Sequence, residues 1–398
     1  MNVLPHRWFC LSRAVCLLSV AAAMTFVQSV VLYGQSSRAP AFQYQLDEFE
    51  ISIPTADEPR VKAFGRESIL AASNYLQVGA VSWARGRSCV NCHTTGPYMT
   101  EYTSWSRHFG KPSDEVRASF VQAVPSSIRV KEEVERGGHK YYPGAYYTVW
   151  RSAGLAEWDR RITGELSEAT DQSLRDMFAH QSDHGAFVTH GEVEVPHVTT
   201  DFQLSLQAAR AVTAAPGWLV GLKDESLLGR VEKLKTWLRT AEPKNDFDRV
   251  LKLQLAHYMP DLVSTSTRDA AMNLLSAKQK ADGGWSTRDM SSVDDWHFEV
   301  SSRVRDIIKN LPDADQPESD PYMTALAIVL MRQNGVPASD RRIQKGLLWL
   351  KREQRESGRW WMHSLYRGNY HFITYIATTE AMKALALCGE LDAIEKGE

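Results

Sequence analysis

Cysteine is scarce, with 5 in 398 residues. Cys10 and Cys16 fall inside the expected N-terminal targeting segment, which leaves Cys89, Cys92 and Cys388, an odd number that implies no disulfide framework. Charge of one sign is lacking too. The formal net charge is −2, and no Lys/Arg-dense run interleaved with aromatics is present, which argues against nucleic acid as a partner. Strand-like alternation is nearly absent: only "EISI" (50 to 53) and "HGEVEVPHV" (190 to 198) show it. His180, His184, His190 and His197 crowd one stretch, and His180 with His184 has the spacing of one helix face. No Glu stands among them in an H-E-x-x-H frame, which excludes the zincin motif. These histidines read as surface or loop residues, with contact to a cofactor as the alternative.

What is present begins with Arg7 and Arg13, followed by an apolar run from Ala14 to about Tyr33 and then small and polar residues. That order predicts an export signal over 1–34. The run is also close to bilayer-spanning length, so an uncleaved anchor and membrane association are the alternative. Either way the body is expected in the periplasm or cell envelope. Residues 35–62 are polar and proline-containing and read as a linker or an edge segment, and 63–398 reads as one helical domain.

Two kinds of helix alternate in that domain. One kind ends in a shared frame of bulky apolar residues, Gln, a polar stretch, Gly and an aromatic: "WLKREQRESGRWW" (349 to 361), "LLSAKQKADGGWS" (274 to 286) and "MFAHQSDHGAFV" (177 to 188). A degraded copy is "KTWLRTAEP", and "NYLQVGAVSWARGR" begins in the same way. The other kind is apolar and rich in small residues, as in "GAYYTVWRSAGLAEW", "TTDFQLSLQAARAV", "DPYMTALAIVLMRQNGV" and "NYHFITYIATTEAMKALALCG". A charged series alternating with an apolar one predicts two layers, the apolar one inside.

The segments Gln279 to Trp285, Gln354 to Trp360 and Gln181 to Phe187 resemble the QW-type repeats of squalene and hopene cyclases, whose fold is shared with protein prenyltransferase β subunits. The resemblance covers roughly 65 to 390 and implies an all-α, α/α toroid with inner helices around a deep apolar cavity, suited to an isoprenoid-like ligand. The Gln and Trp residues are expected to staple repeats and touch no substrate. The acid motif D-x-D-D of alkene-protonating cyclases is absent; "SVDDW" and "PDADQPESD" do not supply its three carboxylates. The prenyltransferase side of the resemblance implies a zinc or iron site at Asp295, His297 and His371, with His297 where that family has Cys.

One motif lies outside the repeat pattern. "SCVNCHTTGPYM" (88 to 99) contains Cys-x-x-Cys-His, the attachment signature of a c-type haem, with Cys89 and Cys92 as thioether anchors and His93 as iron ligand. A Cys89–Cys92 disulfide and a zinc knuckle are the alternatives, the second lacking another C-x-x-C. Met99, His108 or a Met or His from another repeat is the candidate sixth ligand, with an empty sixth position as the alternative, and Trp83, Tyr98, Tyr102 and Trp105 are candidate walls of the haem site. The motif falls where the first repeat should end in Gly and Trp. The chain also resembles exported bacterial proteins that join squalene-cyclase-type repeats to an early C-x-x-C-H segment. The leading expectation is an exported repeat protein with one covalent haem c, performing redox chemistry on, or sensing, an apolar ligand, with a redox protein as possible partner. The alternatives are a haem-free metal-dependent transferase or cyclase and a haem-free scaffold for protein binding.

Overall fold

The computed structural model describes residues 51–87, 90–123, 133–136, 138–142, 144–189, 200–292, 309–310, 314–363 and 371–396. The expected export segment, His190, His197, Cys89, Asp295 and His297 lie outside the described residues. What is described is all-α apart from one small hairpin.

Helices α1 (Arg66–Arg87), α3 (Asp114–Gln122), α5 (Glu168–Ala179), α7 (Glu225–Thr240), α9 (Thr265–Ala277) and α11 (Arg341–Glu353) form the more polar series. Between them run α2 (Thr95–Glu101), α4 (Ala145–Trp158), α6 (Asp201–Ala214), α8 (Asp246–Tyr258), α10 (Pro321–Gln333) and α12 (His371–Leu387). Short polar residues start most of these helices by accepting an otherwise unpaired first-turn amide: Ser113, Ser167, Thr200, Asn245, Ser264 and Asp320 all do so.

Burial separates the two series. In α11 the buried residues Ile343, Gly346, Leu347 and Leu350 mark one stripe, with Trp349 buried beside it. In α10 every residue from Pro321 to Met331 is buried, and in α12 nearly every one from His371 to Leu385. A helix that is apolar all round needs cover on all sides. The packing supplies it: α2 touches α4, α4 touches α6, α6 touches α8, α8 touches α10, α10 touches α12, and α12 returns to α2. Each of these also packs on a member of the polar series.

The Gln-Gly-aromatic turns repeat bond for bond. Gln181, Gln279 and Gln354 each donate Nε2 to the carbonyl of their own turn glycine, at 2.8, 2.9 and 3.0 Å. Each also donates to a carbonyl near the start of the next polar helix or on it: Arg230, Arg342 and Ser68. Trp285 and Trp360 are fully buried and donate Nε1 to Leu275 and Leu350, ten residues back, at 2.7 and 2.8 Å. The amides of Phe187, Trp285 and Trp360 donate to hydroxyls of Ser205, Thr324 and Thr378 on α6, α10 and α12. The turn glycines adopt φ of 103°, 97° and 85°, and a Cβ on Gly185 or Gly283 would lie 2.5 or 2.8 Å from a neighbouring helix carbonyl.

Strand placement differs from expectation. The described strands are β1 (Val134–Arg136) and β2 (His139–Tyr141), an antiparallel hairpin between α3 and α4, while Ile51–Ile53 forms none and 190–198 is outside the described residues. Gly138 at φ 79° supplies the turn in a stretch too short for a periodic signal. Residues 51–61 bond the last repeat turn: Val61 donates to the Gln354 carbonyl at 2.9 Å, and Arg359 pairs with Glu58 at 2.8 Å. Among the described residues no helix is long and apolar enough to cross a membrane.

Candidate functional site

The Cys-x-x-Cys-His segment joins α1 to α2. Asn91 organises it: its Oδ1 accepts the amides of His93 at 3.0 Å and Thr94 at 2.6 Å, and its carbonyl accepts the Gly96 amide at 3.0 Å. A Cβ on Gly96 would lie 2.2 Å from that carbonyl and 2.7 Å from the Trp150 ring, so only glycine fits there. Both roles escape a reading of the motif alone. The Gly three residues past His93 is the one local signal that was available.

His93 is half-buried. Its Nδ1 lies 2.8 Å from Thr94 Oγ1, and its ring sits 4.7 Å from Trp83 and 4.0 Å from Phe372 at the start of α12. That contact restricts the rotation of the ring. Cys92 lines a cavity of about 50 Å³ together with residues from all six apolar helices, among them Glu101, Trp150, Gln254, Tyr322 and Lys383.

That cavity is not simply apolar. Arg210 of α6, 3% exposed, donates Nε to Glu157 at 2.7 Å, bonds Glu101 bidentately and reaches the Thr100 carbonyl at 2.7 Å. Lys383 of α12 stands 3.0 Å from Glu101 and 3.6 Å from Glu380. Burial works to raise the Glu101 carboxyl, but Arg210 and Lys383 outweigh it and hold Glu101 well below the usual carboxylate range. Burial, aided by the Glu101 charge, pushes Glu380 up instead. The pattern is three carboxylates, Glu101, Glu157 and Glu380, against two buried cations, Arg210 and Lys383. Single charges on apolar helices carry no motif, so the sequence did not announce this group.

The other expected residues are dispersed. Met99 is fully buried on α2, its Cβ packed where α4 presents Gly154. His108 accepts from Arg107 Nε at 3.0 Å and faces Asp392 at 3.7 Å. Tyr98 and Trp105 each pack tilted against Tyr102, at 4.8 and 5.4 Å between ring centres, and Tyr102 shares a hydrogen bond with Ser73 on α1. His371 is fully buried with Nδ1 3.0 Å from Tyr75 Oη; burial, then the charge of Arg359, depresses it to about 3, so it is a neutral imidazole. Among the described residues His371 belongs to no group of three metal-ligating side chains.

One such group does exist, in a different place: His139 of β2 with Asp183 and His184 of the turn after α5. The helix expected to carry both His180 and His184 ends at Ala179. His180 caps it, with Nδ1 2.7 Å from the Asp176 carbonyl, and His184 lies in the turn beyond, so the two do not share a helix face. Cys388 follows α12, its thiol pushed up to about 11 by burial. Compared with family models and with curated protein sequences, the chain matches none.

Proposed function

We propose that this chain is an exported α/α-toroid protein of the squalene-cyclase and prenyltransferase-like class that carries one c-type haem on Cys89, Cys92 and His93. The cyclic succession of apolar helices and the bond-for-bond repetition of the Gln-Gly-aromatic turns support the toroid. The observation that carries the haem is the Cys-Val-Asn-Cys-His turn itself: Asn91 fixes its backbone, Thr94 engages His93 Nδ1, and Cys92 reaches the central cavity. That donor set fits a haem; when bound, haem supplies one-electron chemistry or a site for a small axial ligand.

The chain's own residues define what comes near it. Trp83 and Phe372 hold the His93 ring edge-on and tilted, restricting its rotation. Met99, committed to the α2–α4 interface, is not retained as the sixth ligand. The narrow cavity and its Glu101, Glu380 and Lys383 lining favour a polar ligand of a few non-hydrogen atoms over the isoprenoid implied by the resemblance. Glu380 and Lys383 there can hold or exchange a proton at the ligand. The reading is therefore redox chemistry on, or sensing of, a small polar molecule in the periplasm, with a redox protein as electron partner.

The test is an absorbance spectrum of the chain expressed for export together with a haem-maturation system. A reduced α-band that persists after denaturation and acid-acetone extraction in the wild type, and is lost in Cys92→Ser, is the expected result. A colourless wild-type protein, made alongside a control cytochrome that does mature, sinks the reading.

A further inference from the structure

Three ligating atoms converge on the outside of the fold. Asp183 Oδ1 lies 3.1 Å from His139 Nδ1 and 3.4 Å from His184 Nδ1, and all three atoms fall within 4.8 Å of one another. A tetrahedral site with metal–ligand bonds near 2.05 Å has ligand–ligand edges of about 3.3 to 3.4 Å. The separations of 3.1 and 3.4 Å lie close to those edges. We propose that His139, Asp183 and His184 form a surface site for a divalent cation of the zinc class.

The chemistry of the set supports that class. Two imidazoles and one carboxylate suit zinc, copper or nickel, whereas calcium and magnesium prefer oxygen-only shells. The surroundings hold the ligands in place. Ser182 Oγ donates to the Ala186 carbonyl at 2.8 Å and fixes the turn, while its 3.1 Å contact with His184 Nδ1 is given up to the cation. The Asp183 amide donates to the Lys140 carbonyl, tying the turn to β2. Lys233 donates to the main-chain carbonyl of Asp183 and leaves the carboxylate to the histidines. The imidazole rings lie 4.3 Å apart, and His184 also faces Trp237 at 6.4 Å.

In the metal-free chain each Nδ1 bonds the carboxylate. A cation takes both Nδ1 lone pairs while each neutral ring carries its proton on Nε2, and the Asp183 oxygen turns from acceptor to ligand. His184 and Asp183 are 25% and 48% exposed and His139 52%, so solvent can fill the remaining positions. The site joins two elements. The β1–β2 hairpin, an excursion between α3 and α4, is clamped by the cation to the Gln181–Phe187 turn. The proposal assigns it a staple role, independent of the haem reading.

The test is calorimetric titration of Zn²⁺ into the full, chelator-treated chain, with hydrogen exchange followed over 133–142. We expect one zinc equivalent with a micromolar dissociation constant. His139→Ala and Asp183→Asn should each weaken it about tenfold or more, while His180→Ala and Cys92→Ser leave it unchanged. Exchange over the hairpin should slow on zinc addition in the wild type, His180→Ala and Cys92→Ser, and should not slow in His139→Ala or Asp183→Asn. Absence of saturable binding at about millimolar zinc overturns the proposal, as does binding that survives both ligand variants or is lost in Cys92→Ser. Circular dichroism of each variant separates ligand loss from unfolding.

Discussion

Glu101 and Glu380 are both buried at the cavity, yet their environments drive them in opposite directions. Glu101 is held ionised by Arg210 and Lys383, so its folded value lies below the ordinary 4.5. Its stabilising contribution is therefore full above pH 4.5 and is lost as the pH falls through and below that point, because the unfolded chain takes up the proton first. Glu380, raised by burial, has the reverse sign and loses its contribution as the pH rises. Glu101→Gln should cost about 3 to 5 kcal/mol at neutral pH by leaving Arg210 and Lys383 undercompensated. It should also flatten the acid limb of the stability curve. Urea unfolding from neutral pH to below 4.5 checks this, and parallel curves for wild type and variant would refute it.

At the scale of the element, the glycines divide by what surrounds them. Gly96 begins α2 under the Asn91 carbonyl and the Trp150 ring, whereas Gly229 lies in exposed α7 with nothing near its missing Cβ. Gly96→Ala should destabilise by about 1 to 3 kcal/mol or more through backbone collision, while Gly229→Ala should stabilise by up to about 1 kcal/mol through helix propensity. Opposite shifts in thermal midpoint are the expected outcome, and a neutral Gly96→Ala would contradict the close approach. The same division explains what could be read from the sequence. The Gln-Gly-Trp frame was legible because all its bonds but one fall within about ten residues or on the next apolar helix. The Cys-x-x-Cys-His motif was legible for the same reason, though the parts played by Asn91 and Gly96 were not. His139 and His184 belong to separate stretches that only the hairpin brings together. Arg210, Glu101 and Lys383 meet from three helices and leave no local trace.

At the scale of the whole molecule, the first and last described repeats are joined in part by a side chain that elsewhere only links neighbouring repeats. Gln279 bonds the turn of its own repeat to α11, the next polar helix in sequence, but Gln354 bonds Ser68, 286 residues away, from the same position in its repeat. Around it, Arg60 pairs with Glu353 at 2.7 Å, Arg359 reaches Ser52 and Glu58, and Tyr375 of α12 donates to the Leu76 carbonyl of α1. Removing either glutamine side chain loses two hydrogen bonds, at about 0.5 to 1.5 kcal/mol each. The consequences should differ in extent. Gln279→Ala should speed hydrogen exchange in the 279–285 turn and the start of α11. Gln354→Ala should speed it at both ends together, in residues 51–62, α1 and the first turns of α12, because loss of that bond frees elements with no covalent neighbour to hold them. If exchange in Gln354→Ala rises only in the 354–360 turn, the ionic contacts and Tyr375 carry the closure, and the repeat glutamine has the same local duty there as everywhere else.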